Sequence, residues 1–78
     1  MKEGNRLYEL KRYKEALESY NQSIRLDPNN AVAYFNRGVC LSDLNKKQEA
    51  IESYIEAIRL KPDYTKAINN LKLLLNEK

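Results

Sequence analysis

The sequence predicts an all-α protein, five helices folded as stacked antiparallel hairpins over one small core. Three observations lead there. Glu15-Ala16-Leu17-Glu18-Ser19-Tyr20, followed by Ile24-Arg25-Leu26-Asp27-Pro28, returns 34 positions later as Glu49-Ala50-Ile51-Glu52-Ser53-Tyr54, followed by Ile58-Arg59-Leu60-Lys61-Pro62, a period that marks stacked helical hairpins. The same offset superposes Gly4 on Gly38, Leu7 on Leu41 and Leu10 on Leu44, so the repetition spans a whole hairpin. Between the breaks, apolar residues recur at i, i+3, i+4 and i+7, the spacing of one helix face.

Residues 1–10 place Gly4, Leu7 and Leu10 at helical spacing, as the back part of a helix whose first turn is missing. After a break at Lys11-Arg12, a second helix is expected from Tyr13 to Leu26, with Tyr13, Ala16, Leu17, Tyr20 and Ile24 as its apolar stripe. Asp27-Pro28 ends it, since the residue before a proline is driven out of the helical region. Asn29 or Asn30 then caps a third helix by accepting from its free amides. That helix runs from about Ala31 to Leu44, with Ala33, Tyr34, Gly38, Leu41 and Leu44 inward. Asn45-Lys46 turns the chain into a fourth helix, Lys47 to Leu60. Lys61-Pro62-Asp63 ends that one, and Asp63 is the expected cap of a fifth helix to about Glu77, whose broad apolar face is Ala67, Ile68, Leu71, Leu74 and Leu75. Connections this short make successive helices antiparallel neighbours.

A chain of 78 residues holds one domain at most, near the size where a single core barely offsets chain entropy. The expected organisation is 1–30, 31–64 and a closing helix 65–78. A charged fraction of 32% makes the chain well solvated, while 42% apolar residues suffice for a packed interior rather than disorder. No stretch resembles a signal peptide and no apolar run approaches a membrane span. With the single cysteine, Cys40, which excludes an intrachain disulfide, this leans localisation toward the cytoplasm. Cys40 itself is expected as a small filler on a buried helix face.

The net charge of +3 comes from basic residues interleaved with acidic ones, without the basic patch of a nucleic-acid binder. It inclines the partner toward an acidic peptide. Histidine is absent, and there is no cysteine pair and no glycine-rich phosphate loop, so no metal or cofactor is expected. Glu15 with Glu18, and Glu49 with Glu52, have the look of paired carboxylates for acid–base work, but they lie off the apolar stripe and belong to solvated faces. No enzyme activity is expected.

The recurring residues have a packing rationale. Gly4 and Gly38 on the first helix of each hairpin are expected to let Ala16 and Ala50 on the second approach closely. Leu7, Leu41, Tyr20 and Tyr54 fill the space beside that crossing, and Pro28 and Pro62 set the angle to the next element.

These positions resemble the tetratricopeptide repeat, whose pattern is a bulky residue, Leu-Gly-x-x-Tyr, then Ala-x-x-x-Tyr/Phe-x-x-Ala, then Pro. The second repeat supplies Tyr34, Gly38, Leu41, Ala50, Tyr54, Ala57 and Pro62; the first supplies Gly4, Leu7, Ala16, Tyr20, Ser23 and Pro28. Arg37 stands at a usually apolar place, Ser23 replaces an alanine, and Lys11-Arg12 and Asn45-Lys46 replace the common Gly-Asp turn. The resemblance implies a right-handed α-solenoid with a concave groove that binds a peptide segment of a partner and performs no catalysis. Carried onto this chain, the groove positions are Lys2, Asn5, Tyr8, Val32, Phe35, Asn36, Val39, Lys66, Asn69, Asn70 and Leu73.

One subclass of the family grips the C-terminal carboxylates of heat-shock chaperones with a five-residue clamp. Asn5, Asn36 and Lys66 match three clamp positions, while Met1 and Asn70 stand where cationic residues are expected. A bidentate arginine is not replaced by an amide. A reading of a different class is self-assembly. Repeat arrays need about three repeats and polar ends, and Ile68 and Leu75 on the last helix are expected to lack a covering helix, which favours a homo-oligomer through that face.

Overall fold

The computed structural model describes residues 2–77 and holds five helices: α1 (Lys2–Glu9), α2 (Tyr13–Leu26), α3 (Ala31–Asp43), α4 (Lys47–Leu60) and α5 (Thr65–Leu75). No strand occurs among the described residues. Each helix packs mainly against its neighbours in sequence, as short connections require. The result is two hairpins, α1–α2 and α3–α4, with α5 laid against the second.

Both intra-hairpin turns are made the same way. Lys11 and Asn45 adopt the left-handed conformation, with φ of 61° and 62°. The Arg12 amide donates to the Leu7 carbonyl and the Lys11 amide to that of Tyr8, both at 2.9 Å. Lys46 and Asn45 do the same to Leu41 and Ser42, at 2.9 and 3.0 Å. These are paired Schellman closures, which satisfy carbonyls left over at a helix end. The missing glycine is therefore replaced by a lysine and an asparagine held in glycine's usual conformation.

The inter-hairpin connections differ in chemistry. Asn30 caps α3, its side-chain oxygen accepting from the Ala33 amide at 3.1 Å. The residue one repeat later is Tyr64, which opens α5 with no side-chain cap. The expectation of an Asp63 cap is thus corrected. The helix starts at Thr65, which makes Tyr64 the cap residue in place of Asp63, and the Tyr64 ring packs at a tilt on Phe35 with centroids 5.2 Å apart. α5 also ends earlier than expected, at Leu75.

The core has two centres. Leu7, Ala16, Tyr20 and Cys40 form one; Leu41, Ala50, Tyr54, Ala57, Ala67 and Leu74 form the other, and the half-buried Leu17 packs on both. Gly4 and Gly38 open space at the hairpin crossing for the rings of Tyr20 and Tyr54. A Cβ on Gly4 would lie 2.6 Å from Tyr20 Cε1, and one on Gly38 would lie 2.6 Å from Tyr54 Cε1. The glycines thus seat tyrosine rings, whose atoms lie nearest to each. Cys40 is fully buried, its Sγ donating to the Tyr13 carbonyl at 2.9 Å, and burial pushes its thiol up to about 11, which keeps it protonated and inert.

Arg37 is accommodated by polar partners from both hairpins. Its Nε donates to Ser53 Oγ and its Nη1 to Asn21 Oδ1, each at 3.0 Å, and the guanidinium lies 5.0 Å from the Tyr34 ring centroid. Asn21 belongs to α2 and Ser53 to α4, so one side chain on α3 ties three helices. Ser23, at the other departure, turns its hydroxyl back to the Ser19 carbonyl at 3.2 Å.

Candidate functional site

The first helix of each hairpin and α5 line a trough made of two adjoining cavities. The larger, about 420 Å³, is lined by Tyr8 from α1, Val39, Ser42 and Asp43 from α3, Tyr54 from α4, Asn70, Leu73 and Leu74 from α5, and Glu77 just beyond. The smaller, about 390 Å³, is lined by Asn5, Tyr8 and Glu9, by Tyr20, and by Phe35, Asn36 and Val39. Tyr8 and Val39 belong to both, so the cavities lie side by side on either side of these two residues. Tyr20 and Tyr54, the tyrosines seated by the glycines, contribute to the lining from the second helices.

Amide side chains organise the trough in a repeated but modified way. Asn5 Oδ1 accepts from the Tyr20 hydroxyl at 2.7 Å and from Asn36 Nδ2 at 3.2 Å. One repeat on, Val39 replaces Asn5 and Asn70 replaces Asn36, and Asn70 Nδ2 reaches the Tyr54 hydroxyl itself at 3.5 Å. The amides therefore register neighbouring layers through the tyrosine hydroxyls. Burial carries the Tyr20 hydroxyl up to about 12. Burial also raises that of Tyr54, with the Asn70 donation acting in the opposite direction. Both stay neutral in any ordinary buffer and serve as hydrogen-bonding groups.

Of the residues expected in a groove, Asn5, Tyr8, Phe35, Asn36, Val39, Asn70 and Leu73 line these cavities. Lys2, Lys66 and Asn69 are exposed and line neither, and Val32 is likewise exposed outside them. Of the five clamp positions, Asn5 and Asn36 are brought together, Asn70 lies in the larger cavity, Lys66 stands apart, and Met1 lies outside the described residues. Phe35 is partly occupied in packing, half-buried with its centroid 5.9 Å from Tyr54 and 5.2 Å from Tyr64. Leu73, by contrast, is 67% exposed and presents most of its side chain to the trough and solvent.

The residues that sequence reasoning missed are the acidic ones. Glu9, Asp43 and Glu77 line the trough, and they stand at one repeat position, 34 residues apart. The repeat offset alone was a sufficient signal for them. The Tyr8 hydroxyl donates to Asp43 Oδ2 at 2.5 Å, joining α1 to α3 across the trough. That bond to a carboxylate, with burial second, raises the Tyr8 hydroxyl far above the ordinary range.

A separate cavity of about 320 Å³ between α2, α3 and α4 holds Arg37 beside Glu49 and Glu52. Glu15, Glu18, Glu49 and Glu52 are all exposed, as expected of solvated faces. No helix among the described residues is long and apolar enough to cross a membrane.

Comparison with known proteins agrees with the architecture. A stretch of 40 residues is 48% identical to the small glutamine-rich tetratricopeptide repeat-containing protein beta of Homo sapiens, covering 51% of this chain and 13% of that protein. A 37-residue stretch is 40% identical to the Hsp70-Hsp90 organizing protein of Triticum aestivum, covering 47% of this chain and 6% of that protein. A 39-residue stretch is 38% identical to stress-induced-phosphoprotein 1 of Caenorhabditis elegans, covering 50% and 12%. The chain therefore spans only a small part of the length of these relatives. Residues 4–44 match the family described as TPR repeat, and residues 31–64 match the tetratricopeptide repeat. The glycine-seated tyrosines and the Schellman-closed hairpins thus belong to a helical solenoid, and the chain is a member of the tetratricopeptide repeat family.

Proposed function

We propose that this chain is a non-catalytic protein-interaction module that holds a peptide segment of a partner in the trough between α1, α3 and α5. The observation that carries the reading is the adjacency of the two cavities, whose walls share Tyr8 and Val39. It gives a trough with an aromatic and aliphatic lining and amide groups able to meet a peptide backbone. A relative whose name refers to organizing Hsp70 and Hsp90 supports a protein partner, and the chaperone C-terminus is the more specific form of that reading. For it, Asn5 and Asn36 are suitably placed, while Lys66 would have to reach in from outside the trough.

The test is selection of random peptides displayed on phage against the full chain, followed by titration of the selected peptide against Leu73→Ala. Because Leu73 is mostly exposed, the variant should melt like the parent and bind at least about tenfold more weakly. Unchanged affinity would remove the trough as the site.

Self-association is a second reading, favoured by one specific relation. Leu75 stands one repeat after Leu41 and two after Leu7, which are buried, yet it is itself 61% exposed. Light scattering over a concentration series should show a dimer or larger species that Leu75→Glu converts to monomer. A parent that is monomeric at every concentration would set this reading aside.

A further inference from the structure

The lining of the trough carries a charge of its own sign, opposite to that of the chain. The protein has a net charge of +3, yet the charged residues lining the two cavities are Glu9, Asp43 and Glu77. All three are exposed, and among the described residues none makes a side-chain ion pair. Each comes from a different layer of the solenoid, so the carboxylates follow the trough rather than gather at one point. Asp43 is the best positioned, in the middle layer with Tyr8 donating to one of its oxygens. Glu77 is the least isolated, since Lys47 Nζ approaches its main-chain carbonyl at 3.1 Å.

We propose that the occupant of the trough is an extended peptide segment bearing lysine or arginine, with basic side chains directed at Asp43 and Glu9 and apolar ones at Leu73 and Val39. This rests on the trough being the binding site and names the chemistry of what it binds. Charge complementarity argues for it: an acidic segment would have to lay its own carboxylates along a lining that carries three others and no cationic side chain. A cation would find those carboxylates beside the half-buried Tyr8.

The probe is a phage-displayed library of random peptides, selected in parallel on the full chain and on Asp43→Asn, which keeps an oxygen for the Tyr8 hydroxyl. The parent should enrich lysine and arginine beside apolar residues, and Asp43→Asn should lose that enrichment. A synthetic peptide of the parent's selected sequence should bind Asp43→Asn about fivefold more weakly. Its affinity should also fall less steeply with added salt. Glu9→Gln provides an independent second variant. Enrichment of acidic or neutral peptides would overturn this charge reading while leaving the trough as the site. Failure to select any peptide would overturn both.

Discussion

Gly38 and Tyr54 occupy one another's space: a Cβ at position 38 would stand 2.6 Å from Cε1 and 2.8 Å from Cδ1 of the Tyr54 ring. The ring is almost wholly buried and its hydroxyl receives the Asn70 amide, so a shift of the ring disturbs its packing and that contact. Gly38→Ala gains about 1 kcal/mol of helix propensity but overpacks the crossing by about 1–3 kcal/mol. We expect a net loss of stability in chemical denaturation. A gain would mean that the ring shifts freely and that the glycine is not a steric requirement.

Arg37 should matter through the partners it would leave behind. Ser53 is 1% exposed and its hydroxyl oxygen accepts from Arg37 Nε. Arg37→Met removes that donor and the one to Asn21, at a cost of about 1–3 kcal/mol. Replacing both partners by apolar groups is milder, so Arg37→Met with Ser53→Ala should recover part of the loss. Simple additivity of the two single variants in urea unfolding would count against the coupling.

The turn at Lys11 is open to improvement. A left-handed residue with a side chain is strained by about 1–2 kcal/mol, whereas glycine is not, although its freer unfolded chain returns about 0.5–1 kcal/mol. Lys11→Gly should therefore raise stability by about 0.5–1 kcal/mol. Asn45→Gly, which acts on a residue that tolerates this conformation, should yield less. A thermal melt of each variant decides the order.

Alkaline pH should undo the fold through its tyrosines. The folded state raises the hydroxyl pKa of Tyr8 through its bond to Asp43 and of Tyr20, Tyr54 and Tyr64 chiefly through burial. For a group whose folded pKa is raised, the stabilisation is complete below the unfolded value, 10.0. It is lost as pH rises through the folded one, which for Tyr20 is about 12. Circular dichroism should show full helicity at pH ~9 and a decline above ~10, with phenolate absorbance appearing in step. Complete phenolate formation near pH 10 in a still-helical protein would refute it.

The sequence by itself determined the helices, their order and their family. Period, apolar spacing and two prolines are local signals, and α2 and α4 run over the residues those signals mark. It also pointed to most of the trough, because the first helix of each hairpin recurs at a constant offset. The tertiary structure decided which residue serves which partner. That Gly38 seats the Tyr54 ring, and that Tyr64 opens a helix with its ring packed on Phe35, depends on how helices distant in sequence settle together. The acidic character of the trough is of the same kind. The repeat offset puts Glu9, Asp43 and Glu77 at one register position, but that this position lines the trough follows from the packing of α1, α3 and α5.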